Sequence, residues 1–186
     1  MPIHLIAVGE GIRVALLERL APRLEAVFGE WCAVLPHRLD PEPAYDPARR
    51  QYHSTSLLRA MIGLAPQDRM LGVTDHDLFV PILTYVFGEA QLSGRCALVS
   101  VHRLHEEFYG LPKNSGRLLH RLVKEALHEL GHTYGLHHCE NWRCAMASSH
   151  VVERLDLKEA AFCDACRQAL DTLRAPPYPL RPGRFA

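Results

Sequence analysis

The sequence predicts an α/β domain with two lobes flanking a cleft, and three observations lead there. Apolar runs of strand length alternate with stretches whose apolar residues recur at helical spacing. The 186 residues are 48% hydrophobic, which supplies one sizeable core and suits a single globular domain. No internal repeat or linker composition divides them.

Ile3–Val8 is apolar except for His4 and reads as a buried strand. Residues 12–28 place Val14, Leu16, Leu17, Leu20, Leu24 and Val27 on one helical face, and Pro22 predicts either a kink or two helices. Residues 31–35 form a short second strand. Residues 40–54 carry three prolines and few apolar side chains, so a surface loop is expected. A helix at 55–64 and a strand at 70–74 follow; residues 81–87 fit a strand or an irregular apolar segment equally. Residues 96–101 are the clearest later strand, and a turn at 112–115 offers Asn114 or Ser115 as the cap of the next helix. That helix runs to about residue 134, with Leu119, Leu122, Ala126 and Leu130 on its core stripe. A last helix is expected at 156–173, and the tail from Ala175, with four prolines, should be irregular.

Lysine plus arginine equals aspartate plus glutamate, 21 against 21, so no global field draws the chain to nucleic acid or to an anionic membrane. No secretory signal and no stretch of about 20 apolar residues is visible. A cytoplasmic protein, expected to be a monomer, follows. In a reducing compartment, six cysteines argue for metal ligation or buried thiols rather than disulfides.

The chemistry concentrates in residues 128–138. His128 and His132 stand about 40° apart in projection on the predicted helix, so their imidazoles share a face. Glu129 can reach a water at a metal held there without being a ligand itself. Gly135 is suited to end the helix in the left-handed conformation, after which the chain can double back and offer His138 as a third ligand. Three protein ligands leave one position of a tetrahedral zinc open, which separates a catalytic site from a structural one. A bare His-Glu-x-x-His arises by chance in roughly 1–2% of chains this long; Gly135 and His138 make coincidence far rarer.

A second signal overlaps the first. Cys139 and Cys144 follow the third histidine, and Cys163 and Cys166 share a face of the expected last helix. Four cysteines so placed close a tetrahedral, structural zinc site. A redox role for Cys163–Cys166 would want a neighbouring βαβ element, and none precedes it.

The string His128-Glu129-x-x-His132-x-x-Gly135-x-x-His138-Cys139-x4-Cys144-x-Met146, then Cys163-x-x-Cys166, resembles the archaemetzincins, metallopeptidases of the metzincin clan. The match spans residues 128–166; Gly72-Val73-Thr74-Asp75 and Val99-Ser100-Val101-His102-Arg103-Leu104 look similar more weakly. The resemblance implies a metzincin-like fold: a twisted mixed sheet with packed helices, an N-terminal subdomain of about residues 1–135 ending in the active-site helix, and a smaller C-terminal subdomain of about 136–186. It further implies two zinc ions. His128, His132 and His138 would bind the catalytic one, with Glu129 as general base and acid; Cys139, Cys144, Cys163 and Cys166 would bind the structural one. Met146 would pack beneath the histidines in a tight Met-turn. The ten-residue step from His128 to the third ligand selects His138 over His137. Sixteen residues separate Met146 from Cys163, one fewer than in the family pattern, and Ser148 stands where several metzincins carry a tyrosine.

The expected reaction is zinc-dependent hydrolysis of peptide bonds, with an aminopeptidase mode open. The peptide or protein substrate would lie extended beside the strand at 97–101, which reads as a sheet edge, and pair with it as an added strand. Two alternatives remain: a zinc-containing peptide-binding module without turnover, and a zinc hydrolase of non-peptide amides. His102 and His105 flank that strand and fit substrate contact or the surface equally. His150, beyond Met146, is a candidate for the cleft, whereas Cys32 and Cys96 read as buried thiols.

Overall fold

The computed structural model describes residues 2–64 and 67–174. β1 (Ile3–Val8) leads through α1 (Val14–Phe28) to β2 (Cys32–Leu39), which pairs parallel to β1. A 3₁₀ turn at Glu42–Ala44 precedes β3 (Tyr45–Asp46), β4 (Gln51–His53) and α2 (Ser54–Ile62). Next come β5 (Arg69–Thr74), β6 (Leu78–Phe79), β7 (Gly88–Ala90) and β8 (Cys96–Ser100). The chain finishes with α3 (Ser115–Thr133), α4 (Val152–Leu157) and α5 (Asp164–Arg174). The main sheet has the order β2-β1-β5-β8-β7, with only β7 antiparallel to its neighbour; β3, β4 and β6 form a small second sheet.

Strand periodicity divides the core. Ile3, Leu5, Ala7, Leu71, Val73, Ala97 and Val99 face α1 and α3, whereas Ile6, Val8, Met70 and Leu98 face α2. Both faces are therefore covered, which is why β1 is apolar at every position but His4 rather than alternating. The helix α1 buries Leu17, Leu20, Leu24 and Phe28 and runs unbroken through Pro22. Pro22 lies on the solvent side, and so does Glu18, whose carbonyl loses its helical partner there and can be hydrated instead.

The expected mixed α/β architecture is present, and three local expectations change. Residues 40–54 are not a plain loop: they contain β3 and β4, too short for a periodic signal and recruited by pairing with β6. The strand at 97–101 is not an edge, because β7 covers it; β7 is the exposed edge of the main sheet. The single last helix is two helices, since the backbone turns extended at Lys158 (φ −68°, ψ 157°) and the segment before α5 bonds instead to the chain at residues 143–145, Glu159 N–H donating to the Arg143 carbonyl and Ala145 N–H to that of Ala161. Cys163 consequently precedes α5, and only Cys166 lies on it. The tail from Ala175 is outside the described residues. Among those described, no helix is long and apolar enough to cross a membrane.

Candidate active site and metal centres

Helix α3 presents the site. Its first turn is capped by Asn114, whose side-chain oxygen accepts the Arg117 backbone N–H at 2.9 Å. Its end is a Schellman turn: the Leu136 N–H donates to the Gly131 carbonyl (3.1 Å), the Gly135 N–H to that of His132 (2.9 Å), and Gly135 sits at φ +98°. This turn reverses the chain and returns His138 to the face that bears His128 and His132.

The three imidazoles converge, with one nitrogen from each lying within 4.8 Å of the others. His128 Nδ1–H donates to the Ala145 carbonyl at 2.9 Å, and His132 Nδ1–H to that of Leu136 at 2.8 Å. Both Nε2 atoms are thereby left with lone pairs, and these face one another across 3.2 Å. Tetrahedral zinc with bonds of about 2.0–2.1 Å would hold two nitrogens about 3.3 Å apart, so the pair fits that ion. Burial is the main force holding all three pKa values below the ordinary histidine value, with Lys158 and the neighbouring imidazoles adding to it, so the rings stay neutral as ligation requires.

A cleft of about 470 Å³ opens over these rings. Residues 83–88 and Ala90 form one wall; Ser148, Ser149 and His150 form the other. Glu129 lies at its floor, 6% exposed, and burial drives its pKa well above the carboxylate range; Glu125 and Glu89 reinforce this while Lys158 opposes it. The Glu129 side chain lies against the edge strand: a Cβ placed on Gly88 would meet its Cγ at 2.7 Å and the Leu98 carbonyl at 2.6 Å. Tyr85 spans the two walls, its hydroxyl donating to the His150 carbonyl at 2.5 Å.

The second group brings together the sulfurs of Cys139, Cys144, Cys163 and Cys166, also within 4.8 Å. Cys139 and Cys163 sulfurs are 3.7 Å apart, against about 3.8 Å expected around zinc with 2.3 Å bonds. The backbone N–H groups of Met146 and Cys163 point at the Cys144 sulfur, and that of Cys166 pulls the Cys163 thiol pKa down. Such N–H···S contacts favour thiolates, the form a metal needs.

One turn joins both groups. Ala145 receives His128, the Met146 carbonyl accepts the Cys139 N–H at 2.9 Å, and the Met146 sulfur lies beneath Gly131, where an added Cβ would stand 2.4 Å from it. His137 is exposed and outside the cluster, and His102 and His105 do not line the cleft; His102 instead contacts Asp75 and Phe108. His150 does line it. Cys32 and Cys96 are buried free thiols, and burial, with Glu25 and Glu30, pushes Cys32 up to about 12. Sequence reasoning missed Gly88, Gly131, Glu125 and Lys158; only the i, i+4 spacing of Glu125 and Glu129 signalled any of them.

A three-histidine group with a glutamate beside it, set against a mixed sheet, defines a zinc metallopeptidase, a hydrolase. The chain belongs to the archaemetzincins, peptidase family M54, whose family model matches residues 42–172. The archaemetzincin of Methanocaldococcus jannaschii is 43% identical over 155 residues, 83% of this chain and 85% of that one. The crystal structure of the Methanopyrus kandleri archaemetzincin superposes with a TM-score of 0.80 at 36% identity, covering 93% of this chain and 94% of its own. That of the Archaeoglobus fulgidus archaemetzincin, complexed with malonate, gives 0.79 at 37% identity, covering 90% and 99%.

Proposed function

We propose that the chain hydrolyses peptide bonds with two zinc ions, one held by His128, His132 and His138 and one by the four cysteines. The convergence of the three imidazole nitrogens beside the Glu129 carboxylate carries this reading. Bound at the histidines, zinc supplies Lewis acidity that polarises the scissile carbonyl and draws the pKa of water from 15.7 towards about 7. With zinc in place, Glu129 would accept a proton from water at the open position and pass it to the leaving amine. The four cysteines leave no open position, so their ion is structural. The catalytic domain then comprises an N-terminal lobe up to about residue 135 and a C-terminal lobe beyond it.

The edge strand receives the substrate. In the β7–β8 pair, the Ser100 N–H donates to Phe87 and the Gln91 N–H to Cys96, so by antiparallel alternation Gly88 and Ala90 turn their N–H and C=O groups away from β8. Both residues line the cleft. An extended peptide pairs with them backbone to backbone, its scissile carbonyl over the histidines.

Glu129→Gln tests the proton transfer: kcat should fall about 10²–10⁴-fold with zinc retained. Equal turnover by wild type and variant defeats this reading, and a wild type that binds peptides without cleaving them makes the chain a binding module. Comparing peptides with free and acetylated amino termini decides the exopeptidase question; a preference for the free terminus defines an aminopeptidase.

A further inference from the structure

Where α4 ends, the chain abandons helical geometry and sends Lys158 inward, leaving its side chain only 1% exposed. The ammonium lies 3.7 Å from Glu125 Oε1, on a side chain 4% exposed, and donates to the Ala145 carbonyl at 3.2 Å. The same carbonyl accepts His128 Nδ1–H at 2.9 Å. Glu125 Oε1 accepts no hydrogen bond among the described residues, so its link to Lys158 is a charge pair rather than a hydrogen bond. The geometry points to Lys158, clamped by Glu125, as a positioning residue for His128: it pins the peptide plane of Ala145, whose carbonyl orients the first zinc-ligating imidazole.

A buried ion pair is a poor choice for stability alone, because apolar side chains would fill the same space without the cost of desolvating two charges. This pair stands instead one carbonyl away from an imidazole. That carbonyl has two lone pairs, and each takes one donor, a ring N–H and an ammonium. With the peptide plane fixed from the second side, the Nδ1–H tautomer is retained and the Nε2 lone pair stays aimed at the metal position. Residue 145 also lies between Cys144 and Met146, so Lys158 steadies the stretch of chain that both metal groups share.

The inference rests on the three histidines being the zinc ligands. If wild-type protein binds a single zinc, and that one survives replacement of the histidines, the ligand reading itself has failed. If it binds two, Lys158→Met combined with Glu125→Gln removes the ammonium together with the carboxylate that clamps it, and adding Glu129→Gln in the same background keeps the loss of Lys158 from acting through the buried Glu129. Zinc affinity at the histidine site, read by chelator competition while the cysteine-bound ion remains, should fall about 10–100-fold. Thermal unfolding of the same variant measures the purely structural part. An affinity within twofold of wild type, whatever the unfolding midpoint, overturns the inference. Should the double variant fail to fold, Glu125→Gln alone keeps the ammonium but releases its clamp; it too should weaken zinc binding, and unchanged affinity there overturns the proposal equally.

Discussion

Replacing Gly131 by alanine should separate stability from metal binding. On an isolated helix the change stabilises by about 1 kcal/mol. Here the new methyl would stand 2.4 Å from the Met146 sulfur and 3.2 Å from its terminal methyl, in a region where Met146 is fully buried. Overpacking of that kind costs about 1–3 kcal/mol, so the net loss is about 0–2 kcal/mol and the protein should stay folded. Function should suffer more. Met146 cannot retreat freely, because its carbonyl holds the Cys139 N–H next to His138, and the adjoining Ala145 carbonyl holds His128. A displaced Met-turn therefore shifts two of the three histidines, and orienting contacts of this type are worth about 10–100-fold in metal affinity. Chelator competition measures that affinity, and urea unfolding supplies the stability term. Shortening the opposing side chain in Gly131→Ala/Met146→Val should restore part of the loss, giving a coupling of about 0.5–3 kcal/mol in a double-mutant cycle. A Gly131→Ala protein with wild-type zinc affinity and turnover would refute the reasoning.

Three further outcomes are expected. Gly88→Ala places a methyl against the Leu98 carbonyl and the Glu129 side chain, so turnover should fall at least about tenfold while zinc content is unchanged, since no ligand moves; loss of zinc instead would contradict this. Cys163→Ser should reduce the zinc count from two to one by elemental analysis, lower the unfolding temperature and weaken binding at the histidines. A variant that keeps both ions would remove the four-cysteine assignment. Asp77 gives a pH test: burial alone would raise its pKa, but hydrogen bonds from Arg103 and Gln51 hold it below the ordinary value. A depressed pKa contributes stability that is present above the unfolded value of about 3.9 and is lost as pH falls through the folded one. The stability deficit of Asp77→Asn should thus be constant at neutral pH and shrink in acid below about pH 4; a deficit that grows in acid would show the sign to be wrong.

How much could be read from the chain depended on the range of the signal. Ile3–Val8 and α3 were legible because burial on both faces and a 3.6-residue stripe are properties of contiguous residues. The convergence of the three histidines and of the four cysteines was legible because residue spacing on a helix and its following turn is local geometry. What escaped was non-local. β7 is three residues long and owes its existence to pairing with β8, so the edge that faces the cleft could not be told from the strand behind it. Gly88 and Gly131 look like ordinary glycines until Glu129 and Met146 are placed over them. The break before Cys163 was hidden for the same reason: residues 156–173 carry a helical pattern, and the interruption falls where Lys158 turns in to Glu125 and Ala145, partners distant in sequence.

That break also bears on the structural ion proposed for the four cysteines. Among the described residues beyond 157, few large side chains are buried against the main body; Lys158, Phe162 and Leu170 are the main ones. Without a metal, residues 139–146 would be held to α3 chiefly by the Met146 side chain and single hydrogen bonds, each worth about 0.5–1.5 kcal/mol net. Joining four sulfurs from positions 139, 144, 163 and 166 closes this segment into one rigid unit. It does so one residue from His138 and one from Ala145. Imidazoles that must converge within a fraction of an ångström gain most from being anchored at those two points, so stripping the cysteine-bound zinc should loosen the histidine site before the sheet itself unfolds.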